Sequence, residues 1–456
     1  MRSKFLTFLS SGSAAVMLLA ACGGGAAPSA APASSAAPKP ASAAASGGAS
    51  AAASKPSGSA AASASAKPAA SGAASGAASA ALAPGATVTI GVELPMSGGE
   101  AANGVPTSNG VKLAVDQANA KSGNKYKYQA TILDDAVNGK HDPAQGAKNI
   151  QQFSADKSVM GVVGPFNSNV AQAEIPLTNE AGLVQISPAN TNPDLTKTDK
   201  AKDLRKAHPS DIAYFRVCTT DDFQGPAGAD YAFKTLNKKA AFIVDDNETY
   251  GKGIADEFEK RFSADGGKAL GHEHLSSGQQ DFKSLLTKAK ATNPDLIYFG
   301  GVTTTGGGLL RKQMTDVGMQ QITYMGGDGI VEDEFLKEAG AAGNGAWGTV
   351  AAPIAEKLPE AADFIKAYNA KFTDPKDKIG AYSASGFDAA NIIIQAVENA
   401  GADRAKVRAY VAGVKDFKGA LGTYGFDQFG DTTAKIISMW NVDGGKWVAK
   451  DQFAFK

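Results

Sequence analysis

The feature that most limits how this chain can fold is a repeated pairing of a short apolar run with a helical pattern. Thr87-Val88-Thr89-Ile90-Gly91-Val92, Ala130-Thr131-Ile132-Leu133, Val162-Val163 and Val184-Gln185-Ile186 form a first set. Ala240-Ala241-Phe242-Ile243-Val244, Leu296-Ile297-Tyr298-Phe299 and Ile322-Thr323-Tyr324-Met325 belong to a second set that begins near Tyr214. Each run ends in small or polar residues. Such runs read as strands buried on both faces, and their alternation with helices argues parallel sheets. Helices are expected from about Ser108 to Ala120, Pro143 to Phe153, Glu356 to Phe372 and Ala381 to Ala400. The chain closes on a hairpin signal, Ile436 to Val442, then Asp443-Gly444-Gly445, then Trp447-Val448. The pattern predicts an α/β protein of two similar doubly wound parallel-sheet lobes, with late segments returning to complete them.

Two neighbouring strand ends carry unusual concentrations of hydroxyls and amides: Gly164-Pro165-Phe166-Asn167-Ser168-Asn169 and Ser187-Pro188-Ala189-Asn190-Thr191-Asn192-Pro193. Open α/β sheets bind small polar ligands outside the carboxyl ends of their strands. Ser168 can donate a hydrogen bond beside the free N–H groups of a helix start, which suits a carboxylate. Either loop alone also fits a plain turn with a helix cap. Two in succession, with no nucleophile–base pairing nearby, point to capture of an anion without chemistry.

The N-terminal segment addresses location. Arg2 and Lys4 precede an apolar stretch that includes Phe5, Leu6, Phe8, Leu9 and then Val16 to Leu19, and Leu19-Ala20-Ala21-Cys22 follows. This order is that of a secretory signal, and the small residues before Cys22 look like a lipobox. Residues 1–21 are read as a lipoprotein signal peptide and Cys22 as the lipidated residue that holds the protein to a membrane; each buried CH₂ of its acyl chains contributes about 0.8 kcal/mol. From Gly23 to Ala83 the chain is almost wholly Ala, Ser, Gly and Pro, so residues 22–84 form a tether unable to build a core. Its root-mean-square span is roughly 40–45 Å. Lys+Arg and Asp+Glu both total 45, which leaves no basic excess for nucleic acid. Cys218 would be the one unmodified thiol and reads as a small buried hydrophobe.

A more specific reading comes from the set Met96-Ser97-Gly98, Asp134-Asp135, Ser187-Pro188 with Thr191-Asn192-Pro193, and Phe223-Gln224-Gly225-Pro226. Tyr250-Gly251, Tyr298-Phe299-Gly300-Gly301 and Met325-Gly326-Gly327-Asp328 complete it. From Thr87 onward the chain resembles the branched-chain amino-acid-binding (Leu/Ile/Val-binding) proteins of ABC importers, with the type I periplasmic binding fold. The resemblance implies a Venus-flytrap of two lobes joined by a multi-crossover hinge. Residues 85–210 with 352–422 would form lobe 1, and 211–351 with 423–456 lobe 2. It places Ser168 on a ligand carboxylate, Thr191 on both the carboxylate and the ammonium, and the main chain of Ala189 beside them, with Asn190 also among the ligand-binding residues. Asp328 would pair with the ammonium, where the family usually has Glu, and Tyr250 would pack on the ligand. The side-chain pocket would involve Met96, Asn103, Phe166, Val302 and Thr303. The family often has aromatic residues at the positions of Asn103 and of Val302 and Thr303, so a leucine, isoleucine or valine ligand is in doubt and a larger or more polar amino acid, or an amide, fits better. The family disulfide is missing, its positions falling near Val137 and at Asn167.

Other chemistry is poorly supported. Gly306-Gly307-Gly308 lacks the ending of a P-loop. His272 and His274 flank Glu273 on a strand and share a face, but no third metal ligand is evident in the sequence. Asp134-Asp135 is not followed by a calcium loop. Ser168 has no His partner in sight in a chain with 4 His. No enzyme activity, cofactor or metal is expected. The reading is an extracytoplasmic, lipid-anchored, monomeric binding protein that delivers an amino-acid-like ligand to an ABC permease with its ATPases. The alternative is a sensing module, for an amide, urea or amino acid, coupled to a signalling partner.

Overall fold

In the computed structural model, which describes residues 81–455, two sheets organise the chain. The signal segment, Cys22 and the tether as far as Ala80 lie outside the described residues. The first sheet is built around β1 (Thr87–Leu94), buried from Val88 onward. Its order is β2 (Lys127–Asp134), β1, β3 (Val159–Val163), β4 (Val184–Ser187), β5 (Tyr214–Arg216), and every pairing is parallel. Helices Ala101–Ala120, Pro143–Ala155, Ser168–Ala181, Ser383–Ala400 and Arg404–Ala412 pack on it.

The second sheet contains β6 (Ala240–Asp245), β7 (Lys268–His274), β8 (Leu296–Gly300), β9 (Thr323–Gly326) and β10 (Trp347–Val350). Beyond β10 lie β11 (Lys435–Asp443) and β12 (Lys446–Phe455), so the order is β12-β11-β10-β9-β8-β6-β7. The pairings from β10 to β7 are parallel, but β10–β11 and β11–β12 are antiparallel. The terminal hairpin signalled by the sequence adds antiparallel strands, so this otherwise parallel sheet is mixed. A tight turn at Gly444-Gly445 can only return an antiparallel strand.

Lobe boundaries also move. β5 pairs with β4, so the first crossing falls after Arg216 rather than at 210/211. Asp431 is bound to Arg216 at the edge of the first sheet, so residues 423–431 stay with lobe 1 and the last crossing falls before β11. The folded part begins slightly earlier than 85, because Leu82 N–H donates to the Ala402 carbonyl at 2.9 Å. The long helix of lobe 1 begins at Ala101 rather than near Ser108, with Pro106 inside it. Asn103 therefore lies in its first turn and not in a loop.

The three crossing segments meet at one residue. Thr219 N–H donates to the Ala351 carbonyl at 2.9 Å. Its hydroxyl donates to Ile436 O at 2.9 Å and accepts from Ile436 N at 3.0 Å. One residue, through its hydroxyl and its backbone N–H, thus ties together the outgoing, returning and final connections.

Helices Ala101–Ala120 and Ser383–Ala400 cross so closely that side chains are excluded. A Cβ on Gly110 would stand 2.1 Å from Ser383 O, and one on Gly386 2.4 Å from Thr107 O. Both neighbours are backbone and cannot rotate away. Gly386→Ala is expected to destabilise the protein by about 1–3 kcal/mol through overpacking, seen as a lower thermal or urea midpoint. An unchanged midpoint would show that the helices separate freely.

Candidate ligand-binding cleft

Lobe 1 contributes the two loops at the carboxyl ends of β3 and β4. Ser168 is the first residue of helix Ser168–Ala181, and its hydroxyl makes only a long contact, 3.5 Å, from Asn192 N–H. Its proton is thus free to donate, next to the unpaired N–H groups of a helix start. Ser187 shapes the second loop: its Oγ donates to Pro165 O at 2.8 Å and accepts from the N–H of Ala189 and of Asn190, at 3.2 and 2.9 Å. Asn190, expected at the ligand, is a tie between the loops. Its amide donates to Phe166 O at 2.7 Å and accepts from the Tyr214 hydroxyl at 2.7 Å.

Arg216, wholly buried, fixes the same loop from behind. Nη1 donates to the carbonyls of Asn190 and Asn192 at 3.1 and 2.8 Å, Nη2 to Thr196 Oγ1, and Nε to Asp431 at 2.6 Å. In a trans peptide the C=O and the next N–H point opposite ways. Holding Asn190 O therefore turns the Thr191 N–H away from the arginine, and it has no acceptor among the described residues. Burial alone would push the Asp431 carboxyl up, but the charge and hydrogen bond of Arg216, with Lys197 and Lys435 near, hold it below its ordinary value.

Lobe 2 supplies carboxylates. Asp328 follows β9, and its Oδ1 accepts from the Tyr250 hydroxyl at 2.8 Å and Gln224 Nε2 at 2.7 Å. Its Oδ2 accepts from Tyr382 at 2.7 Å, a residue that opens the helix Ser383–Ala400 of lobe 1. The Tyr250 hydroxyl also accepts from Gly329 N–H, and a Cβ on Gly327 would lie 2.2 Å from it, which explains the glycines around Asp328. Burial raises the Asp328 carboxyl above its ordinary value despite these three donors.

The sequence reading missed Asp221, at the start of helix Asp221–Asp230. Its Oδ2 accepts from the Thr191 hydroxyl at 3.0 Å, and its N–H donates to Thr191 O at 2.8 Å. Its Oδ1 is buried without a partner among the described residues, as is Gln224 Oε1. Burial, then the charge of Asp328, push the Asp221 carboxyl well above its ordinary range. Neither aspartate is hydrogen-bonded to a cationic side chain among the described residues. The motif Phe223-Gln224-Gly225-Pro226 marked this helix in the sequence, but its chemistry sits on Gln224 and on Asp221 just before it.

The expected side-chain pocket is only partly assembled. Phe166 meets Tyr382 edge-on, with ring centroids 5.6 Å apart. Met96 is half-buried, its N–H held by Asp134 Oδ1 at 2.7 Å, so Asp134 is a turn residue. The Thr303 hydroxyl is turned to Glu332 in its own lobe, and Val302 is buried beside it. Thr304 is the residue that faces lobe 1, donating to Glu100 Oε1 at 2.6 Å. Glu100 and Asn103, three apart at a helix start, lie on one face, and the Asn103 amide has no partner among the described residues.

Across the rim the lobes are tied together. His141 Nδ1 lies 2.8 Å from Glu100 in lobe 1, and its Nε2 lies 2.7 Å from Glu248 in lobe 2. Asn169 donates to Glu248 at 3.0 Å, and Asn192 Nδ2 to Thr249 O at 2.6 Å. Ser168, Thr191 and Asp328 are all buried beneath these contacts.

Two sheet-centred lobes, crossed three times and closed over polar groups at strand ends, define a solute-binding protein. A family model described as periplasmic binding protein matches residues 87–444, and the chain belongs to that family. It is 32% identical over 366 residues to Leu/Ile/Val-binding protein homolog 3 of Brucella melitensis, covering 80% of this chain and 93% of the relative. It is 32% identical over 372 residues to the Leu/Ile/Val-binding protein BraC3 of Rhizobium johnstonii, covering 80% and 94%. Among solved structures it resembles the leucine-binding protein LivK of Thermotoga maritima, with a TM-score of 0.70 and 27% identity over 80% of this chain and 98% of that one. LivJ of Streptococcus pneumoniae in complex with isoleucine gives 0.70 and 26%, over 81% and 99%. The chain is thus an extracytoplasmic solute-binding protein of the type I fold, within the branched-chain amino-acid-binding group that serves ABC importers.

The rim makes closure pH-dependent. Burial would lower the His141 imidazole, but the charge and hydrogen bond of Glu100, then Glu248, raise it well above its ordinary value, while Asp135 and Asp246 face it as well. Burial would raise Glu100, but His141 and Thr304 bring it below its ordinary value. A raised imidazole stabilises fully below about pH 6.5 and loses its contribution as pH climbs through the raised value. A depressed carboxylate stabilises above its ordinary value and loses that as pH falls through the depressed one. Glu248 and Asp246 belong to the other lobe, so their share of the His141 shift is the share linked to closure. Ligand dissociation measured by stopped flow should accelerate on the alkaline side of neutrality, and His141→Gln should flatten that limb. An identical pH profile in the variant would remove His141 from closure.

Proposed function

We propose that this protein captures a free amino acid with a polar side chain between its lobes and delivers it to an ABC permease, without chemistry. The observation that carries the reading is the pair of buried carboxylates, Asp328 and Asp221, set opposite the donors of lobe 1 with no protein cation bound to either. A ligand ammonium supplies the missing charge. Asp328 has about four acceptor sites and protein donors occupy three, which leaves one on Oδ2. Asp221 Oδ1 is wholly free. The Thr191 hydroxyl gives its proton to Asp221, so it can accept from the ammonium, while the Thr191 N–H and Ser168 serve the carboxylate.

Selectivity follows from the pocket walls. The unpartnered Asn103 amide would be left unsatisfied by an aliphatic side chain, at about 1–3 kcal/mol. The relatives' names cite leucine, isoleucine and valine; here a ligand with its own amide or hydroxyl suits the wall better. Anchoring through lipidated Cys22, with the 22–84 tether giving reach to the permease, completes the proposal, and the protein acts as a monomer.

Mass spectrometry of ligand released from gently denatured protein, followed by a thermal-shift panel, tests the reading. Polar amino acids should raise the melting temperature more than leucine, isoleucine or valine; the reverse order would sink the pocket assignment. Asp328→Ala should weaken amino acids by about 3 kcal/mol, more than a hundredfold in Kd, and affect des-amino analogues far less. Equal weakening of both classes would place the ammonium elsewhere. Cys22→Ser should move the protein from the membrane to the soluble fraction, and retention in the membrane would contradict lipidation.

A further inference from the structure

At the edge of the second sheet, β6 and β7 bring a carboxylate beside the two histidines that share a face. Asp245 ends β6, and in the parallel register it stands beside His274, the last residue of β7. His272 and His274 are two apart on one strand and so project from the same face. His272 Nε2 lies 2.7 Å from Asp245 Oδ2, and His274 Nδ1 lies 2.8 Å from the same oxygen. One ligand atom from each residue falls within 4.8 Å of the others.

We propose that Asp245, His272 and His274 form a site for a divalent transition metal of the zinc type. The donor set of imidazoles and a carboxylate suits zinc, nickel or copper and supplies too few oxygens for calcium. The shell behind it is in place. Glu259 Oε2 lies 2.6 Å from His272 Nδ1, leaving Nε2 to face the metal, the arrangement found behind most metal-bound histidines. Asp245 is buried and held by Asn247 N–H at 2.7 Å on Oδ1, so its position is set before any ion arrives. Half of the His274 side chain is open to solvent, which provides an entry path and room for a water as fourth ligand. Zinc bonds of about 2.0–2.1 Å hold their ligands roughly 3.3 Å apart, so each imidazole nitrogen would move away from the Asp245 oxygen by about half an ångström.

The test uses the untagged full-length protein, stripped with a chelator and titrated with zinc chloride by calorimetry, with melting followed in parallel. One saturable zinc per chain and a higher melting temperature are expected, and calcium chloride should give neither. His272→Ala/His274→Ala should lose both effects. The single variant His274→Ala, at a half-exposed position that leaves the fold and the rim histidine intact, should weaken zinc at least tenfold while amino-acid binding is unchanged. Cobalt substituted for zinc should give visible absorption bands in the wild type only. Absence of saturable zinc, or equal zinc uptake by the wild type and both variants, which would mark an adventitious ion only, overturns the site.

Discussion

The buried pair of Arg216 and Asp431 is the interaction on which the binding architecture rests. A guanidinium offers five donors in a fixed plane, and here they reach a strand-end loop, a neighbouring turn and the last segment of lobe 1 together. A buried charge left without its partner destabilises by about 3–5 kcal/mol, so neither residue can be lost alone. The geometry matters as much as the energy. By drawing the Asn190 carbonyl backward, the arginine turns the Thr191 N–H forward, and a buried positive charge sets the polarity of the opposite face of the loop.

That polarity explains why the cleft is divided as it is. Donors gather on lobe 1, at a helix start and a strand-end loop; acceptors gather on the other side, as two carboxylates whose burial is unfavourable until something cationic lies between them. Open lobes let water relieve Asp221 and Asp328, whereas closed lobes without a cation do not. On the proposed reading, a ligand ammonium supplies that charge and favours closure.

The alternation of apolar runs and helical patterns made most of the fold legible, because burial on both faces leaves a parallel strand few other spellings. The hairpin was legible too, but not that it would pair with β10, since strand order is a tertiary property. The crossing after Arg216 was invisible because β5 is short and its membership depends on pairing with β4. In the site, Ser168, Thr191 and Asp328 came from strand-end position and family resemblance, and the structure brings all of them into one buried cleft. The side chains of Asn190 and Thr303 hydrogen-bond to other residues of the protein, which residue type alone does not reveal. Asp221 looked like any acidic helix start, and Asp245 lies too far along the chain from His272 for spacing to connect them.

The knot at Thr219 has a mechanical consequence. Three chain segments pass between the lobes side by side, and a single hydroxyl holds the first to the third while its backbone holds the second. Parallel connections fastened at one level bend together easily but resist being wound around one another. The lobes are therefore restricted to opening about one line, as covers turn on a spine. The faces offered to a membrane partner then differ between the loaded and empty states by a single angle, a quantity that a rigid docking surface can read.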